Sequence, residues 1–237
     1  MKAEYGLRDI WAEIILSIEK SALKYSRVNK LISLGVSNKL RYKASIDIPN
    51  GVIVDAGCGP GDMALNILQS EGEKFIIGLD ADYNLIKIFL ARAEKLGDDN
   101  LKKIDLVVGL FEEIPIRDSS IDAVVTSFSL RDSMVLEKAI KELHRILREG
   151  GWYLDVDIGR PCNRVVERLF HIYLKYIPPI LASLYYGSLN NPWKTLYKTL
   201  ERIPDNKVLA RMISKYFNIV NIDEVACGAM IKISAIK

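Results

Sequence analysis

Residues 52–64 read VIVDAGCGPGDMA, an apolar run followed by a loop with glycine at every second position. The run predicts a buried β-strand that ends at Asp55, and a helix is expected to begin directly after the loop. Gly57, Gly59 and Gly61 let the backbone turn sharply and approach a ligand, since no Cβ stands in the way. This order of elements predicts a ligand-binding loop at the edge of a parallel sheet.

The residues around the loop argue against a phosphate ligand. A dinucleotide fingerprint needs its third glycine where this chain has Asp62, and no lysine follows in the P-loop position. Asp55 can accept an ammonium group, directly or through water. Asp80, at the end of the next predicted strand, can accept both hydroxyls of a ribose. Two acids beside the loop favour a cationic nucleoside such as S-adenosylmethionine over a turn that only joins strand to helix. Cys58 lies within the loop, but no histidine is near it in sequence to activate its thiol.

Strands and helices are predicted to alternate on both sides of the loop. The predicted strands are 52–55, 75–79, 104–108, 123–126, 152–156, 219–226 and 229–236, and the helices between them are 62–70, 83–96 and 133–148. The last of these helices is expected to stop at Gly150-Gly151. The alternation predicts an α/β fold, a doubly wound, mostly parallel seven-stranded sheet with helices on both faces.

Two further helical regions are expected to cover this sheet. Residues 1–45 precede the first strand and predict an N-terminal helical cap. Residues 161–216 predict a helical insertion that is broken by Pro178-Pro179, Pro192 and Pro204. No linker or repeat separates these regions, so 46–237 is interpreted as one domain that carries the insertion, and the whole chain as a single domain.

The numbers of charged residues and cysteines and the lengths of the apolar runs exclude several classes of protein. The 33 basic and 30 acidic side chains give a net charge of only +3, so no nucleic-acid partner is expected. Cys58, Cys162 and Cys227 lie far apart, which predicts no disulfide framework and no metal site, and favours a reducing cytoplasm. The first twenty residues carry charges throughout, and no apolar run reaches the roughly 18 residues that a membrane span needs.

Five blocks outside the loop resemble a known family. They are YSRVNKLISLG (25–35), IDAVVTSFSLRD (121–132), HRILREGGWYLDVDIGRP (144–161), WKTLYKTLERIPD (193–205) and CGAMIKI (227–233). They are similar to blocks of the class I S-adenosylmethionine-dependent methyltransferases, and within them of the ubiquinone/menaquinone biosynthesis C-methyltransferase (UbiE-like) family. The second block looks like that family's S-F-G-L-R-N. In the first, Ser26 replaces the aspartate of the family's YD-x-x-N.

The resemblance implies S-adenosylmethionine as cofactor and a set of residues that hold it. That set is Asp55, Gly57, Gly59, Gly61, Asp80 and, more loosely, Ser127. The predicted cofactor site also includes Cys58, Ala81, Leu110, Phe111 and Glu112. One position departs from the family, which has Asn/Asp-Ala beside the adenine where this chain has Leu110-Phe111. The adenine amino group must then bind a backbone carbonyl or Glu112, and Phe111 is placed to stack on the base.

The reaction that the resemblance implies is methyl transfer to a ring carbon of a reduced polyprenyl quinone, which requires a base for the phenolic proton. The candidate catalytic residues are Arg131, Asp132, Asp157 and His171. For Asp157, a role as an acid that caps the next turn is an equal alternative. For His171, the interpretation as a partly buried packing histidine of the helical cover is favoured.

Other functions stay open at this point. The cofactor loop would serve O- or N-methylation of another small molecule or lipid, or a non-catalytic S-adenosylmethionine-binding module. The segment 164–189, apolar and aromatic with interspersed basic residues, suits an isoprenoid tail and contact with an anionic membrane surface. It equally suits an ordinary helical cover. The sequence is compatible with a homodimer.

Overall fold

The computed structural model describes residues 5–22 and 24–237 and confirms the predicted α/β fold. A seven-stranded sheet has the order β3-β2-β1-β4-β5-β7-β6. Its strands are β1 Gly51–Ala56, β2 Lys74–Asp80, β3 Ile104–Val108, β4 Ile121–Ser127, β5 Leu147–Ile158, β6 Ile219–Val225 and β7 Met230–Ile236. Only β7 runs antiparallel to its neighbours, β5 and β6.

Helices lie before, between and beyond the strands. They are α1 Trp11–Ser21, α2 Tyr25–Ile32, α3 Val36–Ile46, α4 Asp62–Leu68, α5 Tyr83–Ala93, α6 Asp98–Leu101, α7 Leu136–Ile146, α8 Arg164–Tyr186, α9 Leu196–Arg202 and α10 Asn206–Ile213. Short 3₁₀ helices include Leu130–Asp132 and Pro192–Thr195. None of the helices in the described ranges is long and apolar enough to cross a membrane.

The sheet is buried on both faces, as its apolar strands predict. Adjacent residues of β1 show this, because Ile53 and Val54 are both fully buried and belong to different clusters of the core. Val54 packs in a cluster with residues of α7 and α10, and Ile53 in a cluster with residues of α3, α4 and α5. Helices therefore cover the sheet on both faces.

The strand order reverses between β1 and β4, which both lie at the centre of the sheet. β1 pairs in parallel with β2 on one side and with β4 on the other. In open α/β sheets a ligand binds beyond the carboxyl ends of the strands at such a reversal. Those ends carry Asp55, Asp80, Ser127 and Asp157.

The helical regions form a cover over this edge of the sheet. Trp193 Nε1 donates a hydrogen bond to Asn29 Oδ1 (2.9 Å), which joins the segment after α8 to α2. Ser26 Oγ, also on α2, donates to Asp62 Oδ2 (2.6 Å) at the start of α4. The predicted cap 1–45 includes residues 1–4 and 23, which lie outside the described residues.

Two predicted element boundaries were wrong. Pro178-Pro179 does not break the helical insertion, because α8 runs through both prolines. Both are buried, and Asn191 Nδ2 donates to the Pro179 carbonyl (2.8 Å), so tertiary packing holds the helix despite the missing N–H groups. The helix predicted to stop at Gly150-Gly151 ends at Ile146 instead. The glycines lie within β5, where Gly150 N donates to the Lys237 carbonyl (3.0 Å).

Candidate functional site

The glycine loop turns between β1 and α4 through three residues with positive φ. Gly57, Gly59 and Gly61 have φ values of 69°, 52° and 85°, which favour glycine. A Cβ on Gly57 would lie 2.5 Å from Ser129 Cβ and 2.9 Å from the Phe111 ring. A Cβ on Gly59 would meet nothing within 4 Å. The loop is therefore packed tightly at its first glycine and open at its second.

Asp55 is a fully buried carboxylate at the end of β1. Its Oδ2 accepts a hydrogen bond from Ala64 N (3.0 Å), whereas Oδ1 has no hydrogen-bond partner among the described residues. Burial raises the pKa of Asp55 to about 7, against the lowering effect of the Ala64 hydrogen bond and the positive charge of Arg41. A buried acid with one unpartnered oxygen suits a cationic ligand group.

Asp80, at the end of β2, is fixed by the backbone around it. Its Oδ2 accepts from Gly59 N (2.8 Å) and its Oδ1 from Asp82 N (2.9 Å). Burial raises the pKa of Asp80 to about 6. Each carboxylate oxygen retains a second lone pair, so the group can still accept hydrogen bonds from two hydroxyls.

Ten of the eleven predicted cofactor residues line one cavity beside the glycine loop. The ten are Asp55, Gly57, Cys58, Gly59, Asp80, Ala81, Leu110, Phe111, Glu112 and Ser127. Gly61 does not line it. A Cβ there would lie 2.3 Å from the Phe89 ring, so this glycine allows the loop to pack on α5. Glu112 also accepts a hydrogen bond from Val135 N (2.9 Å) at the start of α7.

A second and larger cavity of about 670 Å³ opens next to the first. Side chains of α1, α2, α3 and α8 and of the β6–β7 turn form its wall, which is largely apolar. Representative wall residues are Ile14, Ile32, Val166, Leu169, Phe170 and Leu174. Four residues line both cavities: Ile18, Arg41, Phe128 and Asp132. We call these four residues the junction.

Asp132 is a buried carboxylate at the junction, on the 3₁₀ helix that follows β4. Its Oδ1 has no hydrogen-bond partner within the described residues, and its Oδ2 lies 3.6 Å from a guanidinium nitrogen of Arg131. Burial raises the pKa of Asp132 to about 7, although Arg131 acts to lower it. An acid of this kind is half ionised near neutral pH and can take up a proton.

The other three predicted catalytic residues occupy different environments. Arg131 lines the larger cavity and forms an ion pair with Asp157. Asp157 also accepts from Arg131 N (3.3 Å) and Ile158 N (2.7 Å) and lines neither cavity. His171 lines neither cavity either; its Nε2 lies 2.8 Å from Glu201 Oε1. The structure therefore brings Arg131 and Asp132 to the site, keeps Asp157 behind Arg131, and leaves His171 outside.

Sequence reasoning missed Arg41, which lies on α3. This side chain is only 5% exposed, and its Nε donates to Ser127 Oγ (3.0 Å). Its guanidinium carbon lies 4.9 Å from the centre of the Phe128 ring. The helical spacing held a signal, because Leu40 and Ala44 place Arg41 on the buried face of α3.

The fold, the glycine loop and the strand-end acids together define a class I S-adenosylmethionine-dependent methyltransferase. The model of the ubiE/COQ5 methyltransferase family matches residues 11–237, and the chain belongs to this family.

Named relatives agree with this assignment. The chain is 32% identical to the ubiquinone/menaquinone biosynthesis C-methyltransferase UbiE of Citrifermentans bemidjiense, over 89% of this chain and 90% of that protein. It is 28% identical to a demethylmenaquinone methyltransferase of Lactococcus lactis, over 81% of this chain and 76% of that protein. Its fold is that of a SAM-dependent methyltransferase from Thermotoga maritima, with a TM-score of 0.66 at 18% identity, covering 92% and 97% of the two chains.

The cavity beside the loop fits the cofactor of this class. S-adenosylmethionine is a nucleoside that carries an ammonium and a sulfonium and no phosphate. The acids that line the cavity (Asp55, Asp62, Asp80, Asp82, Glu112 and Asp132) complement those positive charges. The unpartnered Asp55 Oδ1 matches the need for an ammonium partner, and the open space at Gly59 leaves room for close approach.

Proposed function

We propose that this enzyme transfers a methyl group from S-adenosylmethionine to a ring carbon of a reduced polyprenyl quinone precursor. The observation that carries the proposal is the junction, where a carboxylate with a pKa of about 7 lies between the loop cavity and a largely apolar cavity of about 670 Å³. An isoprenoid tail needs such an apolar cavity. The relatives named as quinone-pathway methyltransferases support the same acceptor class.

In this proposal the loop cavity holds the cofactor, which supplies a methyl group on a sulfonium. Asp55 would accept the ammonium of its amino acid and Asp80 the ribose hydroxyls, since both acids line this cavity. Phe111 would stack on the adenine. Leu110, Cys58 and the glycines close the cavity around these groups and exclude water.

Asp132 is the proposed base. It takes the proton of the acceptor's phenol as the ring carbon becomes nucleophilic, and burial keeps its pKa close to neutral, where a base works best. The ring carbon would take the methyl group as the bond from that group to sulfur breaks. The proton on this carbon would then leave to water and Asp132 would return its proton to the ring oxygen, which restores the aromatic ring. Arg131 is a positioning residue that holds the Asp132 carboxylate at the junction. Asp157 in turn fixes the Arg131 guanidinium by an ion pair.

The route of a lipid acceptor would be the outer face of α8. Exposed apolar side chains follow this face at helical spacing: Val165, Leu169, Ile172, Tyr176, Ile180 and Leu184. Leu169 also lines the larger cavity, so the apolar face continues into it. Exposed Arg164, Arg168 and Lys175 add positive charge along α8. We assign this face to the cytoplasmic surface of an anionic membrane. The free thiols of Cys58, Cys162 and Cys227 agree with that compartment.

The test is methyl transfer from methyl-labelled S-adenosylmethionine to chemically reduced demethylmenaquinone, with the Asp55→Ala variant as control. We expect label on a ring carbon of the quinol, located by NMR of the product, and its loss in the variant. Label on an oxygen of the quinol would show that the enzyme is an O-methyltransferase and not a C-methyltransferase. No label despite calorimetric binding of S-adenosylhomocysteine would remove the quinone as acceptor and leave the cofactor site intact.

A further inference from the structure

Arg41 has an environment that the acceptor chemistry does not explain. Among the described residues that line the loop cavity, it is the sole basic side chain, and it faces the acids Asp55 and Asp62. Its hydrogen bond to Ser127 uses Nε, and the two terminal nitrogens have no acceptor in the described part of the chain. A buried guanidinium whose terminal donors point to no protein acceptor has room for an anionic ligand group.

The acids around Arg41 show how close its charge lies to the site of the amino group. Burial raises the pKa of Asp55, and the charge of Arg41 acts against that rise. For Asp62, burial also acts to raise the pKa, but Arg41, Ser26 and Arg92 outweigh it. Asp62 is already bonded to Ser26 (2.6 Å) and Arg92 (2.8 Å), whereas Asp55 keeps an unpartnered oxygen. One acid and one arginine at this end of the cavity are thus available together.

An α-amino acid matches such a pair. Its ammonium and carboxylate are attached to the same carbon, so the two protein groups that bind them must lie near each other. Four residues hold Arg41 in place: Leu40 and Ala44 bury its face of α3, Ser127 binds Nε, and Phe128 stacks against the guanidinium. The planar fork of a guanidinium fits a carboxylate with two parallel hydrogen bonds.

We propose that Arg41 binds the carboxylate of the methionine part of S-adenosylmethionine through its terminal nitrogens, opposite the ammonium site at Asp55. Arg41 thereby selects a cofactor with an intact amino acid and sets the sulfonium at the junction. The inference rests on the cofactor assignment of the loop cavity and is independent of the acceptor, because binding of the cofactor product alone measures it.

The test compares two ligands by titration calorimetry: S-adenosylhomocysteine and S-adenosyl-3-thiopropylamine, which lacks only the carboxylate. We expect Arg41→Gln to weaken binding of the first by at least about tenfold, as loss of a charged hydrogen bond implies, and to leave binding of the second unchanged. Arg41→Lys should recover part of the affinity, since it keeps the charge and loses the fork. Lys43→Gln, an exposed cation on the same helix, should change neither affinity.

Other outcomes separate the alternatives. Equal weakening of both ligands by Arg41→Gln would mean that the arginine only supports the fold of the cavity, and would overturn the proposal. If Arg41→Gln leaves binding of both ligands unchanged but lowers the methyl-transfer rate, Arg41 contacts the acceptor instead of the cofactor. That result would also overturn the proposal. Failure of the native protein to bind S-adenosylhomocysteine would overturn the cofactor assignment itself, separately from the quinone proposal.

Discussion

At the scale of single residues, the reactive group of the junction is Asp132, a carboxylate that is buried away from water. Asp132 combines burial, an unpartnered oxygen and a nearby guanidinium, so its charge is neither abolished nor fully neutralised. The block IDAVVTSFSLRD (121–132), which carries part of the family resemblance, ends in this residue. Its chemical identity as an acid therefore has direct consequences for the pH dependence of the reaction.

The methyl-transfer rate should follow the ionisation of Asp132. The carboxylate form is the base, so kcat/KM for the acceptor, measured at saturating S-adenosylmethionine, should rise by roughly tenfold per pH unit below about 7 and reach a plateau above it. Asp132→Asn should lower the rate by about 10²- to 10⁴-fold and remove this pH dependence, while affinity for S-adenosylhomocysteine changes little. Asp99→Asn, at a fully exposed acid, serves as the control. An unaltered pH profile in Asp132→Asn would assign the proton transfer to another group.

Gly57 should be far more sensitive to alanine than a glycine in open space. At Gly57 the added Cβ meets Ser129 and Phe111 in addition to the strain of a positive φ, so we expect the free energy of unfolding to fall by about 2–4 kcal/mol. Gly187 has φ 65° and nothing within 4 Å of an added Cβ. Gly187→Ala should therefore lower the free energy of unfolding by only about 1 kcal/mol. Urea unfolding of both variants measures the difference. Equal losses would show that Ser129 and Phe111 move aside without penalty.

At the scale of secondary-structure elements, α8 has two apolar sides, one buried and one exposed. Leu174 and Ala182 on one side are buried in the cover, and the opposite side exposes a continuous apolar stripe. A stripe of this length on a monomer marks an interaction surface. The exposed basic residues of α8 support our proposal that its partner is an anionic lipid surface.

A charge in the stripe should weaken membrane binding. Leu184 is 74% exposed and lines neither cavity, so Leu184→Glu should reduce binding to phosphatidylglycerol vesicles by about tenfold and leave S-adenosylhomocysteine binding unchanged. Leu90→Glu, an exposed leucine on α5, is the matched control, and vesicle co-sedimentation is the measurement. If Leu184→Glu instead converts a dimer into a monomer and leaves vesicle binding intact, the stripe is a subunit interface.

Most elements could be predicted from sequence because their signals are local. The apolar run before Gly57 and the period of α7 needed no knowledge of distant residues. The course of α8 through Pro178 and Pro179 depends on packing against the segment around Asn191, which no local propensity contains. The helical spacing around Arg41 indicates its burial but not its place in the site, since its partner Ser127 lies 86 positions away. Asp132 was predicted as a candidate, but its position between two cavities emerges only in the folded chain.

At the scale of the whole molecule, the site contains several buried carboxyl groups whose ionisation is unfavourable unless a cationic ligand binds beside them. Asp55, Asp80 and Asp132 have pKa values raised by burial to about 7, 6 and 7, and burial also raises that of Asp155. Such a carboxyl binds its proton more tightly in the folded chain than in the unfolded one. Folding therefore gains most from these groups at low pH.

Stability of the ligand-free protein should fall as pH rises from about 4 to about 7, as far as these carboxyls determine it. The ammonium of S-adenosylhomocysteine offsets the charge of ionised Asp55, so its stabilising effect should be larger at pH 8 than at pH 5.5. Scanning calorimetry at both pH values measures this as the increase in Tm on addition of ligand. The Asp55→Asn variant should show a smaller difference between the two pH values. An equal increase in Tm at both pH values would contradict the assignment of Asp55.

Helix α1 lies over both cavities, since Trp11 and Ile15 line the first and Ile18 lines both. Its polar contacts with other helices include an exposed ion pair of Glu13 with Lys198 and an exposed hydrogen bond from Asn84 to Glu19. Exposed contacts of this kind stabilise weakly. One outward movement of this helix would uncover the two compartments at once. Both products would then leave through the same opening.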